Sequence, residues 1–263
     1  MTSLPVEIID YIFGFLADNR RCLMQSSRAL YFQSISINPG NVENLVSLLT
    51  SPHQTISMNT NKVCMEGHCD KKSSRTLLRP LPSIGNIVVS LSLSTIDLES
   101  FPPESYQEFL SGFPCVESLE LHAMKFSSVS QLMSTLGKFS CLRTVSLSSI
   151  SWNDPSNDTP DTLFPYTIPS SLHKLTLNLN YTKGDTMRCF LSQESLPLIR
   201  ELNLGMVSFL NTGAIGEYLG RLGSSLTVLS LGCDFISTGK VNSLHLPSEL
   251  THSQQKTFTL IVI

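Results

Sequence analysis

A six-residue apolar pattern, L-x-x-L-x-L, returns along this chain at nearly constant spacing, and no other feature restricts the fold as much. Six clear copies occur: Val88-x-x-Leu91-x-Leu93, Val116-x-x-Leu119-x-Leu121, Leu142-x-x-Val145-x-Leu147, Leu172-x-x-Leu175-x-Leu177, Ile199-x-x-Leu202-x-Leu204 and Leu226-x-x-Leu229-x-Leu231. Their first positions step by 28, 26, 30, 27 and 27 residues. Counting back 28 from Val88 gives a degraded copy, Thr60-x-x-Val63-x-Met65, and 28 more gives Phe32-x-x-Ile35-x-Ile37. Eight units in register, at about 27.7 residues each, do not arise by chance in a chain that is merely rich in leucine.

The last two apolar positions of each copy are two apart, so on a β-strand both side chains point to one face. A single short strand cannot bury that face alone, whereas stacked neighbours form a continuous core. The period lies in the range of leucine-rich repeats, and the chain is identified by it as an α/β leucine-rich-repeat solenoid, with a parallel sheet on its concave face. Helical return segments fit between strands. Val42, Leu45, Val46 and Leu49 follow i, i+3, i+4, i+7 spacing, and Glu104 to Leu110, Val129 to Leu136 and Ile215 to Leu222 are similar, with Met187 to Leu191 shorter. Asn153 to Pro160 has two prolines and no apolar period, and is expected to be a loop. Three residues after the last strand leucine, where this repeat class often has Asn or Cys, stand Ile96, Met124, Ile150, Asn180, Val207 and Asp234, so no asparagine ladder is expected. Two residues further, Leu98, Phe126, Trp152, Phe209 and Ile236 predict a second apolar layer.

Ahead of the repeats, Leu4-Pro5-Val6-Glu7-Ile8-Ile9 starts a helix-like stretch with proline at the first helical position and an acid in the first turn. Leu4, Ile8, Ile12 and Leu16 share one stripe, broadened by Ile9 and Phe13. The string Leu4-Pro-x-Glu7-Ile8-x-x-x-Ile12-x-x-x-Leu16 resembles the opening of an F-box, a module that leucine-rich repeats often follow. The resemblance implies a substrate-recognition subunit of a Skp–cullin–F-box ubiquitin ligase. Leu4, Pro5, Ile8, Ile9 and Ile12 would face the Skp-type adaptor, and the repeats would hold an unknown protein substrate. The family's later tryptophan-bearing stretch has no counterpart, because the only tryptophan is Trp152. The alternatives are a degenerate F-box protein or a free-standing repeat scaffold. The expected organisation is an incomplete F-box-like helical segment at 1–31, the repeats at 32–250, and an irregular tail or final strand at 251–263.

Strand alternation exposes the residue between the two strand leucines. That row, the predicted substrate-binding surface, is Ser92, Glu120, Ser146, Thr176, Asn203 and Ser230. The flanking rows are Ser90, Ser118, Thr144, Lys174, Glu201 and Val228, and Ser94, His122, Ser148, Asn178, Gly205 and Gly232. This surface is rich in hydroxyls and nearly uncharged, so binding by shape and hydrogen bonds is expected.

Chemistry finds little support. Cys64-x-x-x-His68-Cys69, with His53 upstream, lacks the paired spacing of a zinc site, so no metal or cofactor is expected. Gly232 to Lys240 only mimics a phosphate loop, with glycines seven apart and Val241 at the Ser/Thr position. No G-x-S-x-G occurs, and the chain is not expected to be an enzyme. Charged residues are 15% where about 25% is usual, and a net charge of −3 with scattered cations argues against nucleic acid. No apolar run approaches the ~20 residues that cross a bilayer, and nothing at the N-terminus reads as an export signal. The seven cysteines are then expected to be reduced thiols in the cytoplasm or nucleus.

Overall fold

The repeated apolar positions do form strands, and each strand pairs with that of the following unit. The computed structural model describes residues 33–50, 60–68, 71–78, 81, 84–99, 101, 103–152, 167–179, 183–193, 196–207, 211–234 and 255–261. The F-box-like stretch, with Leu4, Pro5, Ile8, Ile9 and Ile12, lies outside these residues, as do the expected loop at Asn153 to Pro160, Phe209 and Ile236.

The strands are β1 (Ser34–Ile37), β2 (Lys62–Glu66), β3 (Ser90–Ser94), β4 (Ser118–His122), β5 (Lys125–Phe126), β6 (Thr144–Ser148), β7 (Ser151–Trp152), β8 (Lys174–Asn178), β9 (Glu201–Val207), β10 (Val228–Asp234) and β11 (Gln255–Ile261). Between them run helices α1 (Val42–Leu49), α2 (Lys71–Leu77), α3 (Pro103–Ser111), α4 (Val129–Gly137), α5 (Lys183–Leu191) and α6 (Thr212–Leu222). One sheet has the order β1-β2-β3-β4-β6-β8-β9-β10-β11, and its first eight strands are parallel. The fold is α/β. Helices between β1 and β2, β2 and β3, β3 and β4, β4 and β6, β8 and β9, and β9 and β10 provide the long crossovers that parallel neighbours need.

Register follows the repeat. Leu91 sits opposite Leu119, Leu119 opposite Val145, Val145 opposite Leu175, and Leu175 opposite Leu202. These residues and Leu93, Leu121, Leu147, Leu177 and Leu204 are all at most 1% exposed. The degraded unit obeys the same rule, with Val63 at 0% and Met65 at 1%. Burying one such side chain contributes about 1.5–3 kcal/mol, so strand and helix faces seal each other along a single core.

The second apolar layer is present. Leu98, Phe126 and Trp152 are buried, β5 pairs β7 in parallel, and Asp97 bridges to Lys125. At α4 the sequence Ser128-x-x-Gln131 forms a modified capping box. Ser128 Oγ accepts the Gln131 N–H at 3.2 Å, and Gln131 Oε1 accepts the Ser127 N–H at 2.7 Å. Gln131 Nε2 also donates to the Leu98 carbonyl at 3.4 Å, tying two units together. Between neighbouring turns the backbones approach so closely that a Cβ on Gly85 would lie 1.6 Å from the Gly112 carbonyl oxygen.

Three features of the structure go beyond the sequence reading. Helix α2 has no apolar stripe to announce it. The third exposed row breaks after Asn178: Gly205 is left-handed (φ 53°), and beyond that point Gly232 pairs with Met206 rather than Gly205. The Gly205 N–H donates to Asn203 Oδ1 at 3.0 Å, and a Cβ there would meet Asn178 Oδ1 at 2.9 Å, so this bulge requires glycine. Finally, residues 255–261 form the strand β11, which runs antiparallel to β10, Val228 opposite Ile261 and Asp234 opposite Gln255. A period-two apolar pattern carries no strand direction, so alternation leaves the sense of a final strand open.

Candidate functional site

The side of the sheet opposite the core presents the in-between residues as continuous rows. Ser92, Glu120, Ser146, Thr176, Asn203 and Ser230 stand side by side across β3, β4, β6, β8, β9 and β10. All six predicted residues are therefore brought together. Glu120 and Asn203 are exposed and the other four half-buried. Ser36 and Cys64 extend the same row onto β1 and β2. Half-buried serine and threonine keep one hydroxyl each at the surface, able both to donate and to accept.

At the end of the sheet where the strands begin, the chemistry changes. Residues Asn61, Val89, Glu117, Arg143, His173 and Arg200 occupy equivalent positions, and each carbonyl accepts two N–H groups from the next unit. Asn61 O accepts from Val89 and Ser90 at 2.8 and 2.9 Å, and Arg200 O from Thr227 and Val228 at 2.8 and 2.9 Å. The side chains of this row remain outside the core. Together with Lys62, Lys174 and Glu201 they make a charged rim in which four Lys/Arg meet two Glu, of which the sequence reading named only Lys174 and Glu201, in a flanking row. Lys174 Nζ lies 2.7 Å from Glu201 Oε2, and Arg143 Nε lies 3.5 Å from Glu117 Oε2. The Lys174 hydrogen bond, reinforced by its charge, holds the Glu201 carboxyl below its ordinary pKa. Both pairs are well exposed, and pairs of this kind add little stability. A groove of about 460 Å³ opens here, lined by Asn61, Lys62, Glu117, Arg143 and His173 with the hydroxyl residues Ser90, Ser118 and Thr144. The signal was available as a charge-rich column two residues before the second leucine of each unit, hidden because the residues are chemically unlike one another.

At the other end, where the strands finish, Thr95, Ala123 and Ser149 are left-handed, with φ of 53°, 48° and 54°. Each N–H reaches across to the neighbouring unit, to the carbonyls of His122, Ser148 and Asn178 at 2.9, 2.9 and 3.2 Å. These corners turn the chain off the sheet toward the second layer.

Among the described residues no three His, Cys, Asp or Glu side chains gather as a metal set. Cys64 is half-buried on the open face and His68 exposed beyond β2, while Cys69 and His53 lie outside the described residues. His122 is exposed on the third row, and His173 sits half-buried in the groove with Nδ1 at 3.3 Å from the Ser171 carbonyl. No helix among the described residues is long and apolar enough to cross a membrane. Comparison with known proteins gives no match: no family model, curated protein or solved structure is significantly similar to this chain.

Proposed function

We propose that the chain is a leucine-rich-repeat solenoid acting as a non-enzymatic protein-binding module, and that it selects protein substrates for a Skp–cullin–F-box ubiquitin ligase in the cytoplasm or nucleus. One observation carries the reading as a binding module. The open face aligns Ser92, Glu120, Ser146, Thr176, Asn203 and Ser230 in register across six strands, with no helix among the described residues covering them. A solvated sheet face this wide, edged by a charged groove, suits a folded protein or an extended segment better than a small molecule.

The link to a ligase rests on the F-box resemblance of Leu4 to Leu16, in which Leu4, Pro5, Ile8, Ile9 and Ile12 supply the apolar contact with the adaptor. The decisive experiment is capture of the full chain by immobilised Skp-type adaptor, beside the Ile8→Asp/Ile12→Asp variant. The proposal expects retention of the wild type and loss in the variant, with the far-ultraviolet dichroism of both unchanged. A wild type that is folded yet not retained would leave a free-standing scaffold and remove the ligase from the account.

A further inference from the structure

We propose that Cys115 and Cys141 form a vicinal dithiol on adjacent units, which closes to an intramolecular disulfide when a peroxide withdraws two electrons. The two residues occupy the same place in successive repeats. Ser118 of β4 lies opposite Thr144 of β6, and three residues back along each chain stand Cys115 and Cys141. The turns that carry them are built alike. The Phe113 N–H donates to the Leu110 carbonyl at 3.0 Å, and the Phe139 N–H to the Leu136 carbonyl at 3.3 Å. The residues that follow, Val116 and Leu142, are both fully buried, which pins the register up to the cysteines.

How far a side chain at this position reaches is visible in two later units, where serine replaces cysteine, the unit between them carrying Leu198. Ser171, the counterpart of Cys141 in the next unit, donates Oγ to the Leu142 carbonyl across the unit boundary at 2.7 Å. Ser225, two units further on, reaches the Ile199 carbonyl at 3.4 Å in the same way. The side chain at this position thus lies against the residue just after its counterpart in the preceding unit. By the same relation the Cys141 side chain neighbours Val116, the residue after Cys115, and its Sγ lies 3.9 Å from the Ser140 hydroxyl oxygen. Strands of one sheet are about 4.8 Å apart. Disulfides span roughly 4.4–6.8 Å between Cα atoms, so a spacing of that order across the unit boundary admits a bridge once the two side chains rotate toward each other. Both cysteines are unbridged and exposed, whereas Cys64 and Cys189, half-buried on β2 and α5, sit on different faces.

The chemistry balances with a hydroperoxide as oxidant. One thiolate attacks a peroxide oxygen, breaking the O–O bond to give a sulfenic acid and, with a proton, water. The second thiol then attacks that sulfur, forming the S–S bond and expelling the hydroxyl as a second water. Two thiols have lost two electrons, and hydrogen peroxide has been reduced to two waters. The product staples two neighbouring units and closes a loop of about 26 residues.

The test is hydrogen peroxide titration of the reduced full chain, followed by alkylation, proteolysis and mass spectrometry under non-reducing conditions. The expected product is a Cys115–Cys141 linked peptide, formed before any other crosslink and at a rate independent of protein concentration. Dithiothreitol should reverse it, and the oxidised protein should unfold at a higher urea midpoint. In Cys115→Ser and Cys141→Ser, exposed replacements that mimic the serines of later units, both the crosslink and the midpoint shift should vanish. Separate overoxidation of the two thiols, preferential bridging to another cysteine, or an unchanged shift in either variant would each overturn the proposal.

Discussion

Gly85 and Gly216 show how the same residue type does opposite work in this chain. A side chain at Gly85 would strike the Gly112 carbonyl of the next turn, while nothing lies within 4 Å of the space beside Gly216, inside α6. Gly85→Ala should therefore lower stability by about 1–3 kcal/mol. Gly216→Ala should raise it by about 0.5–1 kcal/mol through helix propensity. Urea midpoints of the two variants check both signs. Tyr218 provides a second contrast. Its ring is fully buried edge-to-face against Phe190 at 5.9 Å, and its hydroxyl has no hydrogen-bond partner among the described residues. Burial raises its pKa, disfavouring the ionised phenol. The unfolded chain ionises near pH 10 and the folded one resists, so stability is unaffected below that pH and declines above it. Tyr218→Phe should match or exceed the wild type at neutral pH, and should lose less stability than the wild type between pH 9 and about pH 11. Unfolding curves on both sides of pH 10 would show it.

Elements that bury a regular face were legible in the sequence. Leu91, Leu119, Val145, Leu175 and Leu202 must face the core, and their spacing alone set strand, register and neighbour. The helices α1, α3, α4 and α6 were legible for the same reason. Helix α2 was not, because Lys-Lys-Ser-Ser-Arg-Thr-Leu has a single apolar residue and forms from its surroundings rather than from an amphipathic stripe. The Gly205 bulge was hidden too, since alternation gives no warning of one extra residue. The sense of β11 matters most for prediction. Seven residue pairs tie it to β10, so it covers that strand's edge instead of trailing from it. Removing residues 251–263 should lower the midpoint of thermal unfolding and increase light scattering on heating, because the edge of β10 is then free to pair with other chains. Unchanged unfolding and scattering would show that β11 contributes nothing to the sheet.

At the scale of the whole molecule, the open face has two electrostatic characters. The central hydroxyl row was legible from alternation, and the charged groove beside it was not, because its members Asn61, Glu117, Arg143 and His173 share no chemistry. A protein seated on Ser92, Ser146 and Thr176 should bind with affinity that changes less than about threefold between 50 and 300 mM salt. One that engages the rim should weaken steeply over the same range. Titrating an identified partner at several salt concentrations, with the wild type and Lys62→Glu/Arg200→Glu, decides between them.

The doubled carbonyl acceptors at the start of each strand have a consequence for how this surface can diversify. Because main-chain oxygens of Asn61, Val89, Glu117, Arg143, His173 and Arg200 join one unit to the next, the scaffold makes no demand on what those residues carry. An amide, an aliphatic, an acid, an imidazole and two guanidiniums already occupy the column. New specificities can therefore be written into that column one substitution at a time, with the fold indifferent to the text.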